Sequence, residues 1–312
     1  MVSWFLSISI CFNIVLCIWV ILLRRSRVKA GKIRNAKDYW IAWAQYPLVF
    51  SASNKLDEIY PRMKQIPGIC DVCGRPRLFV NDLMNCFQYG GKSHINFRER
   101  MVCPVCGLNN RMRSTMSVIL REMKRYVQGD MLIYEAVTLF YQRLEEKTRR
   151  KNWNIVGTEY FGPSYESGAL VNGIRNEDAA ALSFADQSFD MIVSNDVFEH
   201  VPNLDFAMAE MYRVLRPGGV AIFTVPIDVH RDASLQRARI EDGKIVHLEE
   251  PEYHGDPLSD KGCLAFWTIG WDILDRGLYA GFEEAYAEPK SNLLHGNIMQ
   301  YPHVVFIFRK AR

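Results

Sequence analysis

Residues 188–201 read SFDMIVSNDVFEHV, and residues 213–225 read RVLRPGGVAIFTV. The apolar runs Phe189–Ser194 and Val220–Val225 have the length of buried strands, and Leu204–Leu215 between them carries apolar residues at helical spacing. A strand, a helix and a second strand in this order indicate a parallel sheet with a crossover connection. Ligands bind to such sheets at the carboxyl ends of the strands.

The flanking sequence extends this alternation in both directions. Further strands are predicted at Met131–Glu135 and Asn154–Glu159, helices at Val137–Arg149 and Trp271–Tyr279, and an antiparallel strand pair at Gly281–Ala287 and His303–Phe308. Pro217-Gly218-Gly219 predicts a turn that leads into the strand after it. The sequence therefore predicts an α/β domain over residues 129–312.

Two motifs of this domain resemble a known family. ALSFADQSFDMIVSNDVFEHV at residues 181–201 resembles the LPF…SFD…DVLEHV stretch of class I S-adenosylmethionine-dependent methyltransferases, and AEMYRVLRPGG at residues 209–219 resembles their E..RVLRPGG element. Together the two stretches are specific for that fold, and the resemblance covers residues 130–225 well. It implies a methyltransferase type 11-like, Rossmann-like domain with a mostly parallel seven-stranded sheet and S-adenosyl-L-methionine as cofactor.

The resemblance also implies which side chains hold that cofactor. The family's acidic residue at the end of the second strand, which takes the two ribose hydroxyls, matches Glu159. The acidic residue that contacts the adenine amino group matches Asp178, with Ala179 beside the ring. Asn195 and Asp196 end the fourth strand, where the family places the sulfonium and the substrate. The alternative for each carboxylate is an ordinary solvated group at a strand end.

One motif of the family is missing. The family's first strand runs into a loop of the form Asp/Glu-x-Gly-x-Gly-x-Gly, whereas residues 134–139 read YEAVTL without a glycine. Glycine serves there for positive φ and for close approach of the backbone to the cofactor. Glu135 keeps the leading acidic position and is the candidate for the methionine amine. The missing glycines predict a repositioned cofactor, very weak binding, or a domain that no longer binds it.

The predicted catalytic base is a histidine. A polar insertion after the fifth strand contains His230, His247 and His254, and in this fold such an insertion lies over the mouth of the site. His254, or His200 from the family motif, is expected to remove a proton from a hydroxyl acceptor, because histidine titrates near neutral pH. A structural role is the alternative for either. No HxxxH or HxH spacing occurs in the insertion, so no metal is predicted there.

Four cysteines before this domain predict a structural zinc site. Cys70-Asp-Val-Cys73 and Cys103-Pro-Val-Cys106 are two CxxC knuckles, each followed by glycine. This spacing lets two thiolates converge on one ion, and two knuckles supply the four sulfurs of a tetrahedral Zn²⁺ site. The alternative is a pair of disulfides, which a reducing compartment disfavours. Cys86 and His94 lie between the knuckles and could replace a ligand, but neither has knuckle spacing.

Charge divides the chain into a basic and an acidic part. Residues 1–128 carry 20 Lys+Arg against 7 Asp+Glu, and residues 129–312 carry 18 against 28. Two amides and two guanidinium groups follow the second knuckle, namely Asn109, Asn110, Arg111 and Arg113. They predict either a surface that binds phosphate or a structural clamp, and the clamp is favoured. The acidic balance of the second part disfavours nucleic acid as a partner.

The N-terminal residues predict a membrane anchor. Trp4–Leu23 is uncharged, and the residues from Arg24 to Lys37 include seven Lys or Arg and no acid. This length and flank predict a single span with the following domains in the cytoplasm. A cleaved signal peptide, the alternative, would carry its positive charge before the apolar run.

These features predict four regions: an anchor at 1–23, a basic juxtamembrane linker at 24–60, a zinc-ribbon-like module at 61–128 and a methyltransferase-like domain at 129–312. The predicted function is O-methylation of a glycan or lipid-linked intermediate at the cytoplasmic membrane face, with the membrane and that acceptor as partners. Two alternatives stay open. One is a non-catalytic domain that binds a partner, and the other is an RNA methyltransferase with a zinc module.

Overall fold

The structure is a computed structural model that describes residues 31–59, 64–149, 151–299, 301 and 303–312. The α-helices of these ranges are α1 (Ala36–Trp43), α2 (Pro47–Ile59), α3 (Asn110–Glu122), α4 (Leu139–Thr148), α5 (Leu204–Val214) and α6 (Ile273–Tyr279). Single 3₁₀ turns lie at Met123–Arg125 and Phe198–His200.

The strands up to residue 176 are β1 (Gln65–Cys70), β2 (Arg75–Val80), β3 (Phe87–Tyr89), β4 (Lys92–His94), β5 (Gly129–Ile133), β6 (Trp153–Glu159), β7 (Leu170–Val171) and β8 (Ile174–Asn176). Those after residue 176 are β9 (Phe189–Asn195), β10 (Leu215–Thr224), β11 (Leu235–Gln236), β12 (Ala238–Glu241), β13 (Lys244–His247), β14 (Tyr253–Asp256), β15 (Ser259–Leu264), β16 (Trp267–Thr268), β17 (Glu284–Lys290) and β18 (His303–Arg309). The strands and helices predicted from the sequence are present, with ends shifted by a few residues.

The chain divides into two compact units. Of the described residues, the first unit comprises Gly31 and those within Ala42–Arg113 and Lys290–His303, and the second comprises those within Lys32–Ile41, Ser114–Pro289 and Val304–Arg312. The predicted boundary between zinc module and catalytic domain lay at residue 128, whereas the contacts assign Ser114 and the residues after it to the second unit. The first unit also contains a C-terminal segment that no local pattern had connected to it.

An eight-stranded sheet forms the second unit. Its order is β17-β18-β10-β9-β5-β6-β8-β7. The pairs β8–β6, β6–β5, β5–β9 and β9–β10 are parallel, and β18 is antiparallel to β10. The five parallel strands are therefore arranged third, second, first, fourth and fifth along the chain, which is a Rossmann-like order with its switch point between β5 and β9. The predicted α/β class is confirmed, and the expected seven-stranded sheet is a mixed sheet of eight strands.

The centre of this sheet is apolar on both faces. Met191, Ile192 and Val193 of β9 are at most 1% exposed, as expected of a parallel strand covered on both sides. On β10, Phe223 stacks against Phe306 of β18 with ring centroids 5.1 Å apart. These strands form a rigid support whose carboxyl ends position the residues discussed below.

The Pro-Gly-Gly element does not form the predicted turn. β10 runs from Leu215 through Pro217-Gly218-Gly219 to Thr224, and its register against β9 shifts between Leu215 and Val220. Gly218 has φ +77° and donates its N–H to the carbonyl of Ala311 at 2.7 Å. The element is therefore a bulge inside a strand, because only glycine takes this φ without a steric penalty.

Two charged motif residues explain why the family-like stretch folds as one piece. Arg213 of α5 donates to the carbonyls of Leu182 and Phe184 at 3.0 and 2.8 Å and pairs with Glu210 at 2.7 Å. Glu210 in turn accepts the N–H of Leu182 at 2.8 Å. The helix thus fixes the loop before β9 through charge-assisted hydrogen bonds, which are stronger than neutral ones.

The first unit contains two small antiparallel hairpins, β1–β2 and β3–β4. Arg113, which is fully buried, lies over the Phe79 ring at 4.1 Å and donates to the carbonyls of His295 and Gly296 at 2.7 and 3.1 Å. Ile69 donates to the carbonyl of Leu294 at 2.7 Å. These contacts attach the C-terminal segment to the β1–β2 hairpin.

The helices of the described ranges contradict the predicted membrane localisation. The longest described α-helices, α2 and α3, have 13 residues each, whereas about 20 residues are needed to cross a hydrocarbon core of about 30 Å. Within the described ranges, no helix has the length and apolar character of a membrane span. The predicted span Trp4–Leu23 falls outside those ranges. The single-pass membrane localisation with cytoplasmic domains is therefore withdrawn as a wrong prediction.

Candidate active site

The predicted cofactor residues on β5 and β9 meet at the switch point. Asn195, the last residue of β9, donates its amide to the Glu135 carboxylate, which follows β5. Thr138 donates its hydroxyl to the other Glu135 oxygen at 3.2 Å. Glu135 and Asn195 are 6% and 7% exposed, so this carboxylate is fixed in a protected position where Rossmann-like sheets bind ligands.

Glu159 ends β6 beside the same loop. Its Oε1 accepts the N–H of Val137 at 2.9 Å. The pKa of Glu159 is raised overall, mainly because the carboxyl group is buried. The hydrogen bonds from the loop backbone lower the pKa in part, and the negative charge of Asp256 raises it further. The predicted ribose ligand is therefore next to the first strand's loop, as the family resemblance implies, but one of its oxygens already has a backbone donor.

The loop without glycines has ordinary backbone geometry. Of residues 134–138, which the structure describes throughout, none has positive φ. Thr138 caps α4 by accepting the N–H of Tyr141 at 3.1 Å, as an N-cap threonine does. The conformational freedom of glycine is not required here, and Ala136 and Val137 add side chains where the family has none.

Asp178 lies in the turn after β8. Its Oδ1 accepts the N–H of Ala180 at 2.8 Å, which leaves the side chain half-buried at the position predicted for adenine recognition, with Ala179 beside it. The preceding Glu177 was not singled out from the sequence. It is buried, accepts from Arg175 at 2.7 Å and from the Ser183 N–H at 2.8 Å, and holds this turn in place.

Asp196 directly follows β9 with φ +53°. Its Oδ1 accepts the Thr224 hydroxyl at 2.9 Å, and its N–H donates to the Thr224 carbonyl at 2.9 Å. A non-glycine residue at positive φ is uncommon and concentrates at functional sites. The strain is held by the end of β10, so Asp196 is fixed at the predicted substrate position.

The two predicted bases lie side by side with a carboxylate that the sequence reasoning missed. The His200 and His254 rings are 5.0 Å apart. His200 Nε2 and His254 Nδ1 are each 3.6 Å from Oε1 of Glu199, which is fully buried. The only signal for Glu199 in the sequence is its position, directly before His200 in the motif.

Glu199 changes the acid–base properties of both imidazoles. Its carboxylate, assisted by Glu252, raises the pKa of His254 to about 9 despite burial. Burial lowers the pKa of His200, but the Cys263 thiol and Glu199 outweigh it, so the net shift is upward. At a pKa of about 9, the His254 ring favours the protonated form near neutral pH when no other cation is present, and for His200 these contacts give only an upward direction of the pKa. Their role as bases stays a prediction.

The polar insertion folds into short hairpins that contact the end of β9. The pairs are β12–β13, β14–β15 and β11–β16. The Phe266 N–H donates to the carbonyl of Glu199 at 2.8 Å, and Trp267 Nε1 donates to the carbonyl of Val201 at 3.0 Å. These bonds hold the β14–β15 hairpin, and with it His254, against the 3₁₀ turn that follows β9.

Comparison with known proteins agrees with this geometry. A family model described as a methyltransferase domain matches residues 143–223. This stretch runs from α4 through β10 and includes the Asn195–Asp196 edge. The part of the second unit that carries these residues is therefore similar to a methyltransferase domain.

Two curated relatives match short stretches of the chain. The chain is 48% identical over 59 residues to an arsenite methyltransferase of Aquipseudomonas alcaligenes, which is 19% of this chain and 16% of that protein. It is 46% identical over 61 residues to a malonyl-[acyl-carrier protein] O-methyltransferase of Methylococcus capsulatus, or 20% and 22% of the two chains. The chain thus spans less than a quarter of the length of either relative.

Among solved structures, an S-adenosylmethionine-dependent methyltransferase from Mesorhizobium loti is 14% identical, with a TM-score of 0.38 over 63% of this chain and 98% of the other.

The first unit brings the four predicted cysteines together. Cys70 and Cys106 have sulfurs 3.8 Å apart, as do Cys73 and Cys103, and all four sulfurs lie within 4.8 Å of one another. No disulfide occurs among the cysteines of the described ranges. A hydrogen bond from the Cys106 thiol lowers the pKa of Cys70 to about 5, and the same bond with burial raises that of Cys106. Cys86 and His94 are not part of the cluster.

The side chains after the second knuckle have internal partners. Asn109 and Arg111 both donate to Glu99, at 2.7 and 2.9 Å. Asn110 donates to the carbonyls of Phe97 and Ile298. These three side chains are at most 9% exposed, as is the fully buried Arg113 described above. Their burial favours the structural clamp over a surface for phosphate.

Proposed function

We propose that the methyltransferase domain binds S-adenosylmethionine at the carboxyl ends of β5, β6 and β9 and transfers its methyl group to an acceptor at the end of β9. The contact between Asn195 and Glu135 carries this proposal, because it joins the two strands of the switch point at the predicted cofactor position. The matched methyltransferase model supports the same reaction class.

Each side chain has a distinct proposed role. Glu135 accepts from the methionine amine, Glu159 accepts from the ribose hydroxyls, and Asp178 accepts from the adenine amino group with Ala179 beside the ring. Asn195 and Asp196 line the position of the reacting methyl group. S-adenosylmethionine supplies that group as an electrophilic carbon on a sulfonium. The chain's contribution is to hold cofactor and acceptor in line, since orientation removes much of the barrier.

Calorimetry of the full chain with S-adenosylmethionine tests the proposal. Glu159→Ala is expected to weaken binding at least tenfold, since a hydrogen bond to a charged group contributes about 1.5–3 kcal/mol. Glu166→Ala is the matched control, because Glu166 is an exposed acidic residue beyond the same strand. Equal binding by both variants, or no binding by the wild type at millimolar cofactor, would overturn the proposal.

A non-catalytic domain that binds a partner is the second candidate. It is favoured by the side chains of Ala136 and Val137 and by the backbone bond that already occupies Glu159 Oε1. The same titration separates the two, because only the enzyme requires the cofactor. The RNA methyltransferase alternative is weaker, since the arginines after the second knuckle are buried and the domain is acidic.

We further propose that Cys70, Cys73, Cys103 and Cys106 bind one structural Zn²⁺. At a Zn–S distance of about 2.3 Å, the edge of a tetrahedron of sulfurs measures about 3.8 Å. Two of the sulfur pairs, Cys70–Cys106 and Cys73–Cys103, have this separation. Burial lowers the pKa of Arg113, and the charges of the cluster's thiolates oppose that shift. The buried guanidinium would offset part of the negative charge of four thiolates on one Zn²⁺.

The predicted acceptor, a glycan or lipid-linked intermediate, followed from the membrane localisation that is withdrawn above. The proposal therefore keeps the methyl transfer and leaves out that acceptor class. The group of Glu199, His200 and His254 near the end of β9 gives a separate indication of the chemical class of the acceptor.

A further inference from the structure

Glu199 is a buried carboxylate without adequate compensation. It is 0% exposed, and neither of its oxygens has a hydrogen-bond partner in the described part of the chain. The nearest nitrogens, His200 Nε2 and His254 Nδ1, are 3.6 Å from Oε1, beyond ordinary hydrogen-bond distance. A buried charge is costly unless it is paired or coordinates a metal. The site therefore requires a cation among these three groups.

The spacing of the three groups suits a shared ion. Ligand atoms at 2.0–2.2 Å from a tetrahedral ion lie about 3.3–3.6 Å apart. Both nitrogens are 3.6 Å from Glu199 Oε1, which agrees with this spacing. The three ligand atoms lie within 4.8 Å of one another.

The far side of each imidazole is already held. His200 Nδ1 is 2.9 Å from the carbonyl of Leu264, which can only accept, so this nitrogen carries the proton and Nε2 presents a lone pair towards Glu199. His254 Nε2 is 3.1 Å from the Glu252 carboxylate, which leaves His254 Nδ1 as the lone pair on the Glu199 side. Metal-binding histidines show this arrangement, in which the second nitrogen donates to a carbonyl or carboxylate.

We propose that Glu199, His200 and His254 bind a divalent first-row transition metal that holds the hydroxyl of the methyl acceptor. Two imidazoles and one carboxylate leave a coordination position for a substrate oxygen, as in catalytic metal sites. Glu199 and His200 lie in the 3₁₀ turn after β9, and the β14–β15 hairpin brings His254 beside them, near the proposed position of the reacting methyl group. This site is distinct from the cysteine cluster of the first unit.

The catalytic consequence rests on the proposed methyl transfer. A hydroxyl bound to a divalent ion loses its proton more readily, and the proton passes to solvent. The oxygen lone pair forms the new bond to the methyl carbon, the carbon–sulfur bond breaks, and its electron pair stays on sulfur in S-adenosylhomocysteine. The two histidines then serve as ligands, and no imidazole base is required. The acceptor class is a compound with a hydroxyl oxygen.

Metal binding is measurable without knowledge of the acceptor. The full chain is treated with chelator, reloaded with one equivalent of Zn²⁺ for the cysteines, and titrated with Mn²⁺ while electron paramagnetic resonance reports the unbound ion. A parallel sample is dialysed against Zn²⁺, and its metal content is determined. We expect one bound Mn²⁺, or a second Zn²⁺, per chain. His254→Gln and Glu199→Gln should weaken this binding at least tenfold.

His247→Gln is the matched control, because His247 is an exposed histidine of the same insertion and is expected to leave binding unchanged. Circular dichroism and S-adenosylmethionine binding verify that each variant is folded. A wild-type chain that binds neither Mn²⁺ nor a second Zn²⁺ overturns the inference, and the protonated imidazoles then compensate Glu199. Equal binding by His254→Gln and the control overturns it as well. Metal binding without cofactor binding supports the site and overturns the proposed methyl transfer alone.

Discussion

The cysteine cluster and the Glu199 group offer ligands in two different ways. Four sulfurs, three of them on buried cysteines, come from two knuckles and lie within 4.8 Å of one another. The Glu199 group has three ligand atoms, two of them on half-buried histidines, and it joins the end of β9 to a distant hairpin.

The two sites therefore suit two different roles of a bound metal, one in folding and one in binding a substrate atom. A site with four protein ligands is closed, and its binding energy serves folding, because the ligands converge only in the folded module. A site with three ligands leaves room for a substrate atom and is held by a fold that already exists without the ion. We expect the two sites to respond differently to loss of a ligand, to chelators and to changes in surrounding residues.

Loss of a thiolate should have the largest effect. Cys70→Ser is expected to abolish zinc binding and to unfold the first unit, since structural zinc contributes about 10–16 kcal/mol in small zinc modules. Zinc content and thermal unfolding of the full chain measure the change. Cys86→Ser, at a half-buried cysteine outside the cluster, should alter neither quantity. A Cys70→Ser chain that retains its zinc and melting temperature would contradict the closed site.

A chelator should distinguish the closed site from the open one. With increasing chelator, the ion at His200 and His254 should be lost first, with little change in melting temperature, because that site does not hold the fold together. The zinc ion should be lost only together with the folding of the first unit. Metal content and melting temperature along one titration report both events. Simultaneous loss of both ions without unfolding would show that the sites are equivalent.

A buried carboxylate with guanidinium partners provides a contrast to Glu199. Burial raises the pKa of Glu122, but its ion pairs with Arg309 and Arg125 outweigh this and lower it overall. The stabilisation is therefore present above the unfolded pKa and is lost as pH falls through the folded pKa. Glu122→Gln should cost about 1.5–3 kcal/mol at neutral pH and should flatten the acid limb of stability. Urea unfolding from pH 7 to pH 3 measures both effects, and an unchanged acid limb would refute the pairing.

The smallest effect is expected from a residue that only orients a ligand. Glu252 holds the far nitrogen of His254 at 3.1 Å. Glu252→Gln should weaken metal binding about tenfold, the lower end of the range for such partners, while Glu250→Gln, at an exposed neighbour, should not. The Mn²⁺ titration described above is the measurement. A loss as large as that of His254→Gln would mean that Glu252 is itself a ligand.

Local patterns predicted much of the fold. Strand and helix periodicity located β5, β6, β9, β10 and α5, because burial on one or both faces requires apolar residues at a fixed spacing. The same patterns failed at Pro217-Gly218-Gly219, where pairing with the neighbouring strands keeps a turn-like sequence inside β10. Contacts that no local pattern encodes also place Lys290–His303 in the first unit.

The sequence by itself predicted that the four knuckle cysteines cluster, because CxxC spacing brings their sulfurs together. The carboxylates at the strand ends were predicted from the family resemblance of the surrounding motifs. Tertiary structure alone decided the environment of Glu199. Its burial, and its approach to His254, depend on how the insertion packs against the end of β9. A group of residues far apart in sequence has no local signature, so only the folded chain shows that a buried carboxylate and two imidazoles share one site.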